Sequence, residues 1–141
     1  MKHEKSCGAV ILKKEDGIKV LLVQMKNGGH FAFPKGHVEG NETEHETATR
    51  EILEETALRV DFVDGFRESV SYSPKEGVIK EVIYFLATPK IEKFVPQEEE
   101  ILSIKWLDEF EALSAVTYEN DRNILQKALN FFKFLDKKCD L

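Results

Sequence analysis

GHVEGNETEHETATREILEETAL, residues 36–58, decides the reading of this chain. Its densest part is Arg50-Glu51-Ile52-Leu53-Glu54-Glu55. Glu51, Glu54 and Glu55 stand at i, i+3 and i+4, so at ~100° per residue they fall within one arc of a helix. Like charges so spaced cost a helix roughly 0.2–0.5 kcal/mol per pair, and Arg50, four residues before Glu54, relieves only part of that. Such a helix is either simply solvated or shaped for a cation. Hard divalent ions such as Mg²⁺ take oxygen ligands and keep several waters, which suits a carboxylate cluster.

What comes before the helix favours the cation. Thr43-Glu44-His45-Glu46 has the form T-x-x-E, a capping box that satisfies the first orphan N–H groups. Phe33-Pro34-Lys35-Gly36-His37 leads from a short strand into a loop, where Gly36 permits close backbone approach or positive φ. Loop, cap and anionic helix together can gather a backbone carbonyl, carboxylates and Lys35 about one metal–phosphate site.

The stretch resembles the Nudix box: Gly, five residues, Glu, seven residues, Arg-Glu, an aliphatic, any residue, Glu-Glu, any residue, Gly, an aliphatic. Gly36, Glu42, Arg50, Glu51, Ile52, Glu54, Glu55 and Leu58 match, and Ala57 stands where the family has Gly. That departure concerns the helix C-terminus, where Gly supplies a left-handed cap. Several fixed polar positions at set spacing make a far more specific signal than a lone glycine motif.

A chain of 141 residues is expected to form one domain, residues 1–141, large enough for a real core. Its 42% apolar and 33% charged content describes a soluble globular protein. The formal charge of −6 argues against non-specific nucleic-acid binding, and no nucleic-acid partner is expected. An anionic protein still takes an anionic substrate where divalent metal neutralises the site. Cys7 and Cys139 have neither metal nor disulfide spacing, and read as reduced thiols. The charged start Met1-Lys2-His3-Glu4-Lys5 is followed by no apolar run long enough for a signal or membrane helix, so no membrane role and a cytoplasmic location are expected.

Along the chain, residues 6–14 and 18–25 read as two strands joined by a turn at Glu15-Asp16-Gly17. Strands are expected at 58–63 and 66–73, the second ending in the turn Ser73-Pro74-Lys75-Glu76-Gly77. Residues 78–87 are apolar on both faces, which requires cover on both sides. Val78, Lys80, Val82, Tyr84 and Leu86 share one face; Ile79, Glu81, Ile83, Phe85 and Ala87 share the other. A further strand is expected over 101–107 and a short helix over 110–116. A last helix is capped by Asn120 or Asp121, its 3.6-residue stripe running from Ile124 to Leu135. The expectation is one α/β (α+β) domain, and the resemblance implies the same: the Nudix fold, a mixed sheet sandwiched between helices.

The resemblance also implies chemistry, namely hydrolysis of a nucleoside diphosphate linked to another moiety. Glu51, Glu54 and Glu55 would hold Mg²⁺, with Mn²⁺ able to substitute and the Gly36 carbonyl as a further ligand. Glu54 is the leading candidate for general base, Arg50 orients a carboxylate, and Glu42 is structural. Glu100, drawn from Glu98-Glu99-Glu100 and six residues before Trp106, stands where relatives carry an additional acidic metal ligand.

His30-Phe31-Ala32-Phe33-Pro34-Lys35-Gly36-His37-Val38-Glu39 is similar to the His-Trp-x-Pro-Pro-Lys-Gly-His-Val-Glu stretch of asymmetric diadenosine tetraphosphate hydrolases. Lys80 to Ala87 likewise resembles that subfamily's Lys-Thr-Val-Ile-Tyr-Trp-Leu-Ala. Carried over, His30, Lys35 and Lys80 contact the polyphosphate, while Tyr72 and Tyr118 match its adenine-stacking aromatics. His37 would order its loop, and His3 and His45 read as plain surface residues. The implied substrate is a nucleotide, foremost diadenosine tetraphosphate cleaved to ATP and AMP. The alternatives are nucleoside triphosphates, RNA 5′ ends and diphosphoinositol polyphosphates, or a non-catalytic module that binds a nucleotide.

Overall fold

The computed structural model describes residues 2–26, 29–91 and 101–139. In chain order the elements are β1 (Lys2–Lys14), β2 (Ile18–Met25), β3 (Phe31–Ala32), β4 (Lys35–His37), α1 (Glu44–Thr56), β5 (Arg59–Lys75), β6 (Val78–Ile91), β7 (Ile101–Asp108), α2 (Glu109–Ala115) and α3 (Glu119–Cys139). The strands form one mixed sheet, β3-β2-β1-β6-β5, with β4 paired to β1 and β7 paired to β2. β1 runs parallel to β6 and antiparallel to β2 and β4.

The two apolar faces of β6 explain the layering. Val82, Tyr84 and Leu86 enter one core with Leu125, Ala128 and Leu129 of α3 and Ala112 of α2. Ile83, Phe85 and Ala87 enter the other, with Ala48 and Ile52 of α1. Helices on both faces remove both rows of apolar side chains from water, as the alternation requires.

Some expectations change. β1 begins at Lys2 rather than residue 6, because Lys2 to Ile11 pair in parallel with Val78 to Ala87 and recruit a charged segment that local propensity would leave out. The strands expected at 58–63 and 66–73 are one strand, β5, whose register shifts between Phe62 and Arg67. Gly65 lies in that interval at φ 97°, a conformation open to glycine. β5 then continues through Ser73 and Pro74 to Lys75, which leaves Glu76-Gly77 as the turn. α3 starts at Glu119, so neither Asn120 nor Asp121 caps it; both lie in its first turn. His45 is exposed, as expected, and its ring in addition stacks on Phe85 at 3.9 Å between centroids.

α1 has the expected capping box, with Thr43 accepting from the Glu46 amide and the Glu46 side chain accepting from the Thr43 amide. At its far end Ala57 takes the left-handed conformation, φ 63° and ψ 10°, and donates its N–H to the Leu53 carbonyl. Ala performs the job that glycine does best. Cys7 is a buried free thiol in β1, and burial raises its pKa to about 11. The side chain of Cys139 lies outside the described residues. Among the described residues no helix is long and apolar enough to cross a membrane.

Candidate active site

The loop before α1 is built by close backbone approach. At Gly8 a Cβ would fall 2.1 Å from the Pro34 carbonyl oxygen, so β1 must carry glycine where residues 34–35 lie on it. Gly8 and Cys7 pair with Lys35 and Gly36 of β4. At Gly36 a Cβ would stand 2.0 Å from Cδ of Glu51, because the Glu51 carboxylate fills that space. Thus glycine at 36, in β4 rather than in the loop expected there, is what lets the helix carboxylate reach the strand backbone.

Arg50 ties the carboxylates together. Its guanidinium donates through Nε to Glu42 (2.7 Å), through Nη1 to Glu51 (2.8 Å) and Glu54 (3.3 Å), and through Nη2 to the His37 carbonyl (2.8 Å). One planar fork thereby fixes two helix carboxylates, the acid before the helix and the loop. Glu42 also accepts from the Glu39 amide and the Thr47 hydroxyl; with Arg50 foremost, these hold its carboxyl down at about 2. His37 orders the loop through its carbonyl oxygen rather than its ring.

Glu51, Glu54 and Glu55 occupy the C-terminal half of α1, whose last turn holds no basic residue. The helix dipole disfavours anions there, by roughly 0.3–1 kcal/mol each when exposed. The three differ in setting. Glu55 is buried at 8% exposure and accepts from the Lys35 amide at 3.3 Å. Glu51 is mostly covered, and the Glu54 side chain, 45% exposed, faces water. Among the described residues no three His, Cys, Asp or Glu side chains close a ligand shell by themselves. Hard oxygen donors in a half-open arrangement fit Mg²⁺, which keeps waters and binds through one or two carboxylates plus substrate phosphates. Glu98, Glu99 and Glu100 lie outside the described residues.

Beside these carboxylates lies a cavity of about 540 Å³. His30, Lys35, Lys80, Tyr72 and Tyr118, five residues from five separate parts of the chain, all line it, and so does Glu55. Tyr72 of β5 and Lys80 of β6 are direct cross-strand partners and present one face. Tyr118 is brought in by its neighbour: Thr117 Oγ1 accepts from the Phe31 amide at 3.0 Å, and the Thr117 amide donates to the Phe31 carbonyl at 3.3 Å. The His30 and Tyr118 rings then lie 5.5 Å apart. Lys35 is pushed below the usual ammonium range, first by burial and then by Lys80, while Glu55, Asp121 and Glu51 act the other way.

Sequence reasoning missed part of this wall. Asp121 is buried at 8% exposure and lines the cavity with Tyr84, whose hydroxyl donates to its Oδ1 at 3.4 Å. Burial raises the Asp121 carboxyl, opposed by Lys35, by the Tyr84 hydroxyl and by His30. Burial also raises the Tyr84 phenol well above its ordinary value. The signal was present, since Asp121 follows Tyr118 by one helical turn, but an acid at a helix start reads as a cap.

Comparison with known proteins agrees with this fold. Residues 2–128 match the NUDIX domain. The chain is 31% identical to the asymmetrical bis(5′-nucleosyl)-tetraphosphatase of Sus scrofa, over 90% of this chain and 94% of that protein. The Rattus norvegicus protein of the same name is 32% identical over the same shares. A crystal structure of a binary complex of the C. elegans Ap4A hydrolase superposes with a TM-score of 0.84, at 29% identity, covering 92% of this chain and 98% of that one. With the box on α1, the mixed sheet between helices and a domain match over most of its length, the chain belongs to the Nudix hydrolase family.

Proposed function

We propose that this protein hydrolyses dinucleoside tetraphosphates asymmetrically, with diadenosine tetraphosphate yielding ATP and AMP, in a Mg²⁺-dependent reaction carried out by a single domain. One observation carries the reading: His30, Lys35, Lys80, Tyr72 and Tyr118 line a single cavity that Glu55 of the acidic helix also reaches. Two aromatic rings, a set of cations and a carboxylate cluster match in turn a base, a polyphosphate and a cation-assisted hydrolysis. The similarity to proteins named as tetraphosphatases supports the same substrate class.

Glu51, Glu54 and Glu55 would hold the Mg²⁺, with the Gly36 carbonyl and Glu100 as further ligands. Bound there, the ion would neutralise phosphate oxygens and lower the pKa of the attacking water. Lys35, Lys80 and His30 draw the polyphosphate against the helix and offset its charge. Tyr72 and Tyr118 hold the base by stacking, worth about 1–3 kcal/mol per base where it has been dissected. Glu54, the most exposed of the three acids, takes the proton of the water that attacks phosphorus. Arg50 acts through Glu51 and Glu54 by fixing their rotamers.

The test is incubation with diadenosine tetraphosphate and Mg²⁺ in ¹⁸O-labelled water, with products separated by chromatography. ATP and AMP in equal amounts are expected, with Glu54→Gln slower by about 10²–10⁴-fold, the usual contribution of a positioned base. Absence of ATP above that control would remove the substrate assignment.

A further inference from the structure

Asp121 accepts from the buried Tyr84 hydroxyl and counters the charge of Lys35, yet its carboxylate also fronts the cavity. It is the wrong residue to cap α3, which begins two positions earlier at Glu119. Its one hydrogen bond is the 3.4 Å contact from the Tyr84 hydroxyl to Oδ1, which is long for an O–H···O bond. Among the described residues every fully buried side-chain oxygen has a partner. Oδ2 of Asp121 accepts from none of the described residues, and the residue lines the cavity. A desolvated carboxylate with unused acceptor sites is expensive, and such a group is kept where a ligand completes it.

Its position says which part of the ligand. The Tyr118 carbonyl accepts from the Arg122 amide, which places Tyr118 at the entry to α3, just before Glu119. Asp121, in the first turn of α3, lines the same cavity as Tyr118. Tyr72 stands close enough for Asp121 to act on its phenol. Tyr72, Tyr118 and Asp121 thus bound one cavity, with the carboxylate beside the two rings.

We propose that Asp121 reads the base and gives the site a preference for guanine, its carboxylate accepting from N1–H and the N2 amino group together. The inference rests on the tyrosines being the base site, as in the function proposed above. An ionised carboxylate only accepts, and guanine offers two adjacent N–H donors on one edge. Adenine sets its single N6 donor beside the N1 lone pair, which the second carboxylate oxygen repels. Burial raises the Asp121 carboxyl, and Lys35 foremost among its neighbours opposes that rise in favour of the ionised form.

The experiment compares P1,P4-bis(guanosyl), bis(adenosyl) and bis(inosyl) tetraphosphate as competing substrates for the wild type, reading kcat/KM for each. Guanosyl substrate is expected to lead adenosyl substrate by about 5–150-fold, the range of a good two-bond contact to a base. Inosine, which keeps N1–H and lacks the N2 amine, is expected to fall between them. Asp121→Asn turns one acceptor into a donor and is expected to reverse the order towards adenine. Equal kcat/KM for the three substrates in the wild type would overturn the inference without touching the hydrolase reading. So would an Asp121→Asn loss of the same factor on all three, which would make Asp121 merely a charge partner of Lys35. Hydrolysis of none of them would instead remove the parent reading.

Discussion

The carboxylate of Glu51 occupies the space that a side chain at Gly36 would need, with Cδ 2.0 Å from where a Cβ would stand. The relationship is local in structure and distant in sequence: β4 supplies the bare backbone, α1 supplies the acid, and Arg50 holds that acid from the other side at 2.8 Å. Gly36→Ala should therefore push aside a flexible carboxylate and leave the scaffold intact. Expected are a thermal midpoint within a few degrees of wild type and a Mg²⁺ requirement raised by about 10–100-fold, the usual effect of disturbing the groups that orient ligands. Activity against Mg²⁺ concentration, beside a melting curve, checks it. A folded variant with unchanged Mg²⁺ dependence would separate Glu51 from the ion.

Ala57 bears a different strain. Its φ of 63° puts a Cβ in the left-handed region, where the clash costs about 1–2 kcal/mol for an ordinary residue. Ala57→Gly removes that cost and adds some unfolded-state entropy, so a net gain of about 1 kcal/mol is expected. In urea the midpoint should rise with the slope unchanged. A lower midpoint would mean that the Ala57 methyl packs to greater effect than its backbone is strained.

These two positions also mark how much was legible beforehand. The box helix, its capping box and the two-faced β6 were readable because each is a short-range pattern with one physical solution. The five cavity residues were readable only through resemblance, since nothing local relates His30 to Lys80 or Tyr118. The register shift in β5 was missed because Asp64-Gly65 looks like a strand break until β6 is there to pair on both sides of it. Asp121 was missed because burial depends on what packs over a residue, and a helix-start aspartate is exposed far more often than it is covered.

The acid network around α1 predicts the direction of pH dependence. The Arg50 guanidinium holds Glu42 at about 2, and the Arg67 guanidinium, donating at 2.8 Å, holds Glu44 at about 2, against an ordinary 4.5. Between those values the unfolded chain binds more protons than the folded one, so stability falls as pH drops through the window. Their contribution is complete above about 4.5 and is lost by about 2. Urea midpoints measured from neutral pH downward should be level at first and then decline, with Glu42→Gln removing part of the decline. A midpoint flat through the window would show that neither pair is coupled to folding.

The last prediction concerns how Tyr118 is held. Thr117 and Phe31 exchange two hydrogen bonds, at 3.0 and 3.3 Å, and these pin the α2–α3 connection to β3, next to His30. Thr117→Val keeps the shape and the backbone bond but deprives the Phe31 amide of its hydroxyl acceptor. That amide lies where water can replace the lost partner, so the stability change should stay near the net value of one ordinary hydrogen bond, about 1 kcal/mol. Binding should suffer more, because the ring must be ordered when the base arrives. A several-fold rise in KM for diadenosine tetraphosphate with kcat little changed is expected for Thr117→Val. Tyr118→Ala should raise KM by about 5–150-fold, and Tyr118→Phe should restore it, because stacking uses the ring and not the hydroxyl. If Tyr118→Phe were as impaired as Tyr118→Ala, the hydroxyl would be the working group and the base would have to sit elsewhere in the cavity.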